Sequence, residues 1–363
     1  MNLIAAFGEV MLRLAPQEKR RLAQSLPGTL EATFGGSEAN VCASLAMFGT
    51  PCRFLTALPD NPPARAFAAQ LRGLGCDLSR VLYTASGRMG VYYVEHGSNM
   101  RGAGVWYDRE NSVISTLGPE AYDMETMLEN VTHLHFSDIT CALTEKAFRT
   151  VIAFAQTAKR KGISISLDIN NRKKLWNWKP GTDKQTLARE CLEELTPYAD
   201  WIIGNREDIS GLFGFEAPPA LHGGKIDFDA YKKSAAAVAA KFPQTRYVGF
   251  TLRETISADS NLWGGMLYDT NAKKAFFAPL DQEGNYVPYA MRDIVDRFGG
   301  GDAFTAGLLH ALYSEKFSAP ETAVRFAAAA GALKHSIFSD YNYTSEAEVE
   351  TLMTSDGSGR IRR

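Results

Sequence analysis

The stretch Asp296-Arg297-Phe298-Gly299-Gly300-Gly301-Asp302-Ala303-Phe304 places three consecutive glycines directly before a helical pattern. Apolar residues continue that pattern at helical spacing through Leu308 and Leu312. A helix N-terminus exposes unpaired N–H donors and carries a partial positive charge, and glycines leave those donors unshielded. The stretch therefore predicts a cradle for an anion such as a phosphoryl group in transfer. A tight turn capped by Asp302 is the alternative that these residues alone leave open.

Asp302 stands at the rim of this predicted cradle. A carboxylate there can accept the proton of a substrate hydroxyl as the hydroxyl attacks phosphorus, a role worth about 10²- to 10⁴-fold in rate. We therefore predict a phosphoryl-transfer enzyme, with Asp302 as the catalytic base and Gly299, Gly300 and Gly301 as the anion hole.

Two common nucleotide-binding motifs are absent from the sequence. A Walker P-loop has the pattern G-x-x-x-x-G-K-[ST]. The chain contains Gly223-Gly224-Lys225, but Lys225 is followed by Ile226 where serine or threonine is required. The dinucleotide fingerprint G-x-G-x-x-G fails as well, because Phe304 occupies the last glycine position after Gly299 and Gly301. Neither motif explains the glycine-rich stretch.

Short apolar runs alternate with helical patterns along most of the chain. The predicted strands that carry this alternation are residues 3–8, 132–136, 163–167, 201–203 and 247–251. Helical patterns lie between them, as at residues 41–48 and 145–161, and a hairpin is predicted through residues 264–268. Such alternation favours right-handed βαβ units and therefore an α/β fold with a doubly wound, mostly parallel sheet flanked by helices.

The bulk composition indicates a small-molecule partner. Lysine and arginine total 39 against 41 aspartate and glutamate residues, without a long run of one sign, so neither nucleic acid nor an anionic membrane is expected to bind. The five cysteines include no C-x-x-C pair and are predicted to be free thiols in a reducing compartment. Because the sequence shows neither a signal peptide nor a long apolar segment, we expect a cytoplasmic protein.

The glycine-rich stretch resembles the second signature of the ribokinase-like (phosphofructokinase B) sugar kinases. That signature, D-T-x-G-A-G-D-A-F, matches residues 296–304 except at Arg297 and Gly300. The resemblance covers roughly residues 3–345. It implies a single α/β domain over residues 1–345, with a small β-sheet lid built from excursions at about 9–34 and 88–112. Residues 346–363 would then be a C-terminal extension that is partly frayed.

The first signature of the same family, G-G-x-x-x-N-x-A, appears near the N-terminus. It is represented by Gly35, Gly36 and Asn40, with Cys42 where alanine is usual. The residues that the resemblance assigns to sugar binding are Gly36 and Asn40, together with Tyr92, Tyr107 and Arg109 from the lid. Aromatic residues also suit a half-buried sheet, so packing is an alternative role for the two tyrosines.

The nucleotide side of the predicted site also depends on the resemblance, which implies ATP and Mg²⁺ as cofactors. The family's N-x-x-E motif, which orders the water shell of magnesium, aligns with Asn205-Arg206-Glu207-Asp208. Either Glu207 or Asp208 can therefore take the acidic role, acting on the metal through water. Thr251 and Arg253 would lie beside the nucleotide phosphates. Dependence on a monovalent cation stays open.

Within the family, the chain resembles the 2-keto-3-deoxygluconate kinases most. Asp168-Ile169-Asn170-Asn171-Arg172-Lys173-Lys174-Leu175-Trp176 follows a pattern that neutral-sugar kinases usually lack. Ligands bind beyond the carboxyl ends of parallel strands, and Arg172 follows such an end. Its guanidinium can bind a planar carboxylate, at about 1.5 to 3 kcal/mol for a charge-assisted hydrogen bond. A surface arginine in a basic run is the alternative.

The sequence therefore predicts ATP-dependent phosphorylation of the 6-hydroxyl of 2-keto-3-deoxygluconate. A fructokinase or another ketose kinase is the alternative within the family, and a nucleoside kinase would need a pocket for a base where Arg172 and Arg109 stand. A non-catalytic sugar-acid sensor is the alternative from another class, although such a sensor has no need for the intact Gly-Gly-Gly-Asp stretch. By analogy alone, edges of the lid would pair two subunits into a dimer.

Overall fold

A computed structural model describes residues 2–354 of the 363-residue chain. Its strands are β1 (Ile4–Phe7), β2 (Met11–Ala15), β3 (Glu31–Gly35), β4 (Cys52–Leu55), β5 (Ala57–Pro59), β6 (Leu82–Thr84), β7 (Gly90–Glu95), β8 (Gly104–Asp108), β9 (His133–Ser137), β10 (Ser164–Ile169), β11 (Trp201–Asn205), β12 (Tyr247–Ser257), β13 (Ser260–Asp269), β14 (Lys274–Ala278) and β15 (Tyr289–Met291). Its α-helices are α1 (Leu22–Ser25), α2 (Ser37–Met47), α3 (Pro62–Gly73), α4 (Val113–Thr116), α5 (Met124–Met127), α6 (Asp138–Cys141), α7 (Glu145–Arg160), α8 (Lys184–Leu195), α9 (Arg206–Phe213), α10 (Phe228–Lys241), α11 (Gly300–Tyr313), α12 (Pro320–Lys334) and α13 (Glu346–Thr354). Short 3₁₀ turns lie at Pro119–Ala121 and Thr196–Tyr198.

The central sheet has the order β14-β13-β12-β11-β10-β9-β1-β4, and β15 pairs with β13. The strands from β4 to β12 in this order pair in parallel, whereas β13 and β14 are antiparallel. The predicted α/β fold with a mostly parallel sheet is therefore confirmed. Residues 264–268, where a hairpin was predicted, lie inside β13, which forms antiparallel hairpins with β12 before it and with β14 after it, so that only the positions of the turns differ.

Helices cover both faces of this sheet. Successive side chains of β1 alternate between the two faces, so that Phe7 packs against Phe154 of α7 while Ala6 belongs to the core on the other face, together with residues of α2 and α11. Strands buried on both faces read as continuous apolar runs, which is why β1 was recognisable in the sequence. Close packing of α11 on α12 depends on Gly307, since a Cβ there would lie 2.8 Å from Cα of Ala327.

A second sheet, with the order β3-β2-β7-β8, stands over the carboxyl edge of the central sheet, and we call it the lid. In the register of β7 and β8, Tyr92 lies opposite Tyr107 and Tyr93 lies opposite Trp106. Because side chains alternate along a strand, the first pair faces the central sheet and the second pair faces away. Trp106 is accordingly 50% exposed, whereas Tyr92 is buried.

The chain after α12 returns to the core in α13 (Glu346–Thr354), whose Val349 is fully buried. This helix belongs to the stretch 346–363 that was predicted to be a partly frayed extension. The predicted fraying of residues 355–363 falls outside the described residues. Across residues 2–354, every helix is too short or too polar to cross a membrane.

Candidate active site

A cavity of about 940 Å³ separates the lid from the carboxyl edge of the central sheet. The ends of β10, β11 and β12 and the N-terminus of α11 open into it, which is where an open parallel sheet binds ligands. All residues that the sequence analysis assigned to the site line this one cavity: Gly36, Asn40, Tyr92, Tyr107, Arg109, Arg172, Asn205, Glu207, Asp208, Thr251, Arg253, Gly299, Gly300, Gly301 and Asp302. Their individual roles stay predictions.

The three glycines at the start of α11 differ in which atoms lie close to them. Gly299 has a φ of 79°, and a Cβ there would collide with the backbone oxygen of Asp340. A Cβ on Gly300 would lie 2.5 Å from the ring of His335. A Cβ on Gly301 would meet no atom within 4 Å, because that position faces the open cavity. Packing therefore requires the first two glycines, while the third keeps the helix N-terminus accessible to a ligand.

Asp302 is oriented by two hydrogen bonds from the first turn of α2. One carboxylate oxygen accepts from Oγ of Ser37 at 2.8 Å, and the other accepts from Nδ2 of Asn40 at 2.7 Å. Burial raises the pKa of Asp302, and these hydrogen bonds oppose the rise. Asn40, predicted to bind sugar hydroxyls, therefore also holds the predicted base.

Gly36 forms the joint between the lid strand β3 and the helix α2. A Cβ on Gly36 would collide with the backbone oxygen of Glu9, so the close approach of these two segments requires glycine. The joint brings the first turn of α2, with Asn40, against the cavity.

The lid contributes two tyrosines and one arginine to the cavity. The rings of Tyr92 and Tyr107 have centroids 6.3 Å apart, and the buried hydroxyl of Tyr92 lies close to the Asp340 carboxylate. Arg109 is buried and forms an ion pair with Glu9, with Nε 2.8 Å from the Glu9 carboxylate. Glu9 therefore offsets the charge of Arg109 at the cavity, and the predicted contact of Arg109 with substrate stays a prediction.

Arg172 lies in the segment after β10, as the sequence pattern predicted. Its side chain is exposed to the cavity and forms neither a hydrogen bond nor an ion pair with any residue between 2 and 354. Asp168, near the end of the same strand, is 5% exposed, and burial raises its pKa. The segment thus presents a cation whose donors are free for a ligand.

On the nucleotide side, Asp208 and Glu207 point in different directions. Asn205 caps α9 by accepting from the backbone N–H of Asp208 at 2.8 Å, and its Nδ2 donates to the Asp208 carboxylate at 2.7 Å. Burial raises the pKa of Asp208. Glu207 instead pairs with Arg206 at 2.7 Å and has 63% of its side chain exposed. Asp208 is therefore the carboxylate that the fold holds in a fixed position.

Thr251 and Arg253 lie two residues apart on β12, whose first five residues pair in parallel with β11. Both side chains therefore project from the same face of the strand toward the cavity. Arg253 forms no ion pair within the described part of the chain, so its positive charge is available to a bound anion.

Two buried carboxyl groups near the site were missed in the sequence. Glu38 is 1% exposed and accepts hydrogen bonds from the backbone N–H and hydroxyl of Ser137, at 2.8 and 2.7 Å. Asp138 is fully buried and accepts from the backbone N–H of Asn170 at 2.9 Å. Burial raises the pKa of each to about 7. The position of Glu38 inside the first signature was the available signal.

These two groups predict how stability changes with pH. Their pKa is raised above that of the unfolded chain, so the native protein keeps protons that the unfolded chain has already released. The free energy of unfolding should therefore fall as pH rises from about 4 to 7. Glu38→Gln should remove part of this fall, on the order of 3 kcal/mol, because one pKa unit corresponds to about 1.4 kcal/mol.

Urea unfolding at several pH values would measure this effect, with the exposed Glu216→Gln as the control variant. An equal pH slope in Glu38→Gln and the unsubstituted protein would show that Glu38 is ionised when folded.

Three of the five free cysteines form a group outside the cavity. The sulfur atoms of Cys42, Cys52 and Cys76 lie within 4.8 Å of one another, and all three residues are buried. Sγ of Cys52 donates to the backbone oxygen of Cys42 at 3.3 Å, and Sγ of Cys42 donates to that of Arg53 at 3.7 Å. These contacts are those of thiols packed in the core.

The fold and the cavity together define a class of protein. A helix N-terminus with open glycines, a buried carboxylate at its first turn and a lid over the cavity are the parts of a phosphotransferase that acts on a hydroxyl group. Residues 1–247 and 270–342 match the family model of the pfkB family carbohydrate kinases. The chain therefore belongs to this family and is an ATP-dependent sugar kinase.

Similar proteins span nearly the whole chain. A 2-dehydro-3-deoxygalactonokinase of Haloferax volcanii is 28% identical over 98% of this chain and 98% of its own length. The crystal structure of a 2-dehydro-3-deoxygluconokinase from Thermotoga maritima is 33% identical, with a TM-score of 0.86, and covers 98% of this chain and 100% of its own. A fructokinase of Xylella fastidiosa, solved with bound ATP, has the same fold at 17% identity and a TM-score of 0.72, covering 97% and 98% of the two chains.

Proposed function

We propose that this kinase transfers the γ-phosphoryl group of ATP to the 6-hydroxyl of 2-keto-3-deoxygluconate, also called 2-dehydro-3-deoxygluconate. The observation that carries this proposal is the unpaired guanidinium of Arg172 at the cavity. A sugar acid offers the carboxylate that such a cation binds, whereas a neutral sugar does not. The names of the Haloferax and Thermotoga relatives support the same substrate class.

Asp302 would act as the base in this reaction. Ser37 and Asn40 occupy one oxygen each through a single hydrogen bond, which fixes the plane of the carboxylate. A carboxylate oxygen has capacity for a second hydrogen bond, so Asp302 can accept the proton of the attacking hydroxyl. Its raised pKa makes it a stronger base than an exposed carboxylate.

The N-terminus of α11 and Arg253 would stabilise the charge that develops on the transferred group. The open side of Gly301 lets phosphoryl oxygens approach the backbone N–H groups. Asp208, fixed by Asn205, offers the oxygen donors that suit Mg²⁺ and its water shell, and the bound ion would neutralise nucleotide phosphates. Closure of the lid would keep water from accepting the phosphoryl group.

The release of ADP over a panel of acceptors tests the proposed substrate. The panel contains 2-keto-3-deoxygluconate, its C4 epimer, fructose, ribose, gluconate and adenosine, each with ATP and Mg²⁺. Selective turnover of a keto acid supports the proposal, and the epimer then reports the C4 preference. Preferred turnover of fructose or ribose would reject the sugar-acid assignment, and preferred turnover of adenosine would indicate a nucleoside kinase.

Arg172→Ala should weaken binding of the keto acid specifically. The loss of a charge-assisted contact worth about 1.5 to 3 kcal/mol corresponds to a rise in KM of about 10- to 150-fold. We expect the KM for ATP to change little. Lys173→Ala, which removes the neighbouring exposed cation, is the matched control. Equal KM values for the keto acid in the two variants would contradict the carboxylate contact.

The lid sheet has two edges that could join subunits. The edge strands of the lid, β3 and β8, have one side each that is unpaired within the described chain, and such edges readily pair between subunits. We propose a dimer through these edges, which sedimentation equilibrium would detect.

Five free thiols support a reducing compartment such as the cytoplasm.

A further inference from the structure

A cluster of buried charges lies directly behind the phosphate-binding loop at the start of α11. Arg13, on the lid strand β2, is fully buried and donates to the Asp296 carboxylate at 2.6 Å and to the Asp340 carboxylate at 2.6 Å. Asp296 in turn accepts from the backbone N–H groups of Phe298 and Ser339, each at 3.0 Å. Asp296 therefore ties the residues before α11 to the segment that carries Asp340.

Lys334, at the end of α12, is a second buried cation in this cluster. It is 0% exposed, and its Nζ donates to the backbone oxygen of Ile337 at 3.0 Å. Its ammonium forms no ion pair with any of the described residues. Its Cε lies 3.2 Å from the position that a Cβ on Gly299 would take. The ammonium is thus held beneath the glycine that begins the anion hole.

The charges of this cluster balance one another. Burial lowers the pKa of Lys334, and Asp296 and Asp340 oppose that change by favouring the charged form. A lone buried ammonium would cost several kcal/mol, whereas two carboxylates with two cations leave no net charge. Without the lysine, a net negative charge would remain behind a loop that has to accept phosphoryl oxygens.

We propose that Lys334 and Arg13 are positioning residues that neutralise Asp296 and Asp340 behind the phosphate-binding loop, and that the Lys334 ammonium does the work of a bound monovalent cation. The kinase therefore needs neither K⁺ nor another small cation for full activity. The inference depends on the kinase activity of the chain and goes beyond the proposed substrate.

Two variants of Lys334 separate its charge from its packing. Lys334→Met removes the charge and keeps most of the volume, while Lys334→Ala also leaves space beside the Ile337 carbonyl, behind Gly299. Oxygen ligands of this kind bind hard cations. In tetramethylammonium salt, both variants should lose about 10- to 100-fold in kcat, somewhat less than the removal of a direct oxyanion donor costs.

The decisive readout is rescue by small cations. K⁺ or NH₄⁺ should restore kcat in Lys334→Ala but not in Lys334→Met, whose side chain fills the space. An active Lys334→Met beside an inactive Lys334→Ala would show a packing role and overturn the inference. Failure of every cation to restore a folded Lys334→Ala would also contradict it. Lys232→Ala, which removes an exposed lysine on α10, is the control.

The unsubstituted enzyme supplies a test that does not depend on any variant folding. Its kcat in KCl and in tetramethylammonium chloride, at equal ionic strength, should agree within about twofold. Activation of severalfold by K⁺ would overturn the inference. The ratio of the two rates is measured with whichever sugar of the panel is turned over, so a wrong substrate assignment does not affect it.

Discussion

Asp302→Asn is expected to lower kcat by about 10²- to 10⁴-fold, the range that a positioned proton acceptor contributes. The variant should fold, because an amide can accept from Asn40 through its oxygen and donate to Ser37, whose hydroxyl is also an acceptor. The geometry at the start of α11 is then retained while the base is lost. Binding of ATP and of the sugar should therefore change only severalfold.

Steady-state kinetics with calorimetric binding measurements would separate these two effects. Asp229→Asn, which makes the same chemical change on the exposed face of α10, should retain full turnover. Turnover close to normal in Asp302→Asn would remove this residue from the mechanism. Loss of both binding and turnover would indicate instead that the carboxylate is needed to hold α2 and α11 together.

Gly301→Ala should abolish most of the activity without a loss of stability. A methyl group at this position meets no protein atom within 4 Å, and alanine favours a helix over glycine by about 1 kcal/mol. The melting temperature should therefore stay equal or rise. The methyl group occupies the side of the helix N-terminus that faces the cavity, so phosphoryl oxygens lose access to the N–H donors. We expect kcat/KM to fall by about 10²-fold or more.

Gly300→Ala is the informative comparison for that variant. Its Cβ would meet the His335 ring at 2.5 Å, so it should lower the melting temperature as well as the activity. Calorimetry and kinetics on both variants would distinguish a ligand-facing glycine from a packing glycine. Full activity in a stable Gly301→Ala variant would show that the phosphoryl group does not approach this face.

The parts of the site that follow local sequence patterns could be predicted. Apolar runs identified the parallel strands, and the carboxyl ends of those strands meet at one edge, which brings Arg172 and Asn205 to the same cavity. The glycines before α11 were also recognisable, because an open helix N-terminus needs residues without a side chain. These features depend on residues close together in the sequence.

Pairings between distant residues could not be predicted in the same way. Arg109 lines the cavity as expected, but its pairing with Glu9, a hundred positions away, could not be foreseen because this contact depends on how the lid stands over β1. The bond from Asn40 to Asp302 joins two helices whose approach is a property of the whole fold. No periodicity in the sequence reports such contacts.

The sequence also leaves open which of two adjacent residues faces the site. Glu207 and Asp208 are neighbours at the start of α9, and successive side chains on a helix point about 100° apart. One therefore faces solvent and pairs with Arg206, while the other turns toward Asn205. The sequence motif alone could not separate the two carboxylates, whereas the direction of the helix does.

The strand β3 is joined directly to α2 at Gly36, and this connection affects how much ATP the enzyme hydrolyses without a sugar. No loop separates the lid strand from the turn that carries Ser37 and Asn40, so a displacement of the lid moves the two groups that orient Asp302. We expect a sugar that contacts the lid to hold these two groups, and the carboxylate that they orient, more firmly in the position seen here. Transfer of the phosphoryl group to water should then be slow when the acceptor is scarce, because the lid that moves with the base is not held closed.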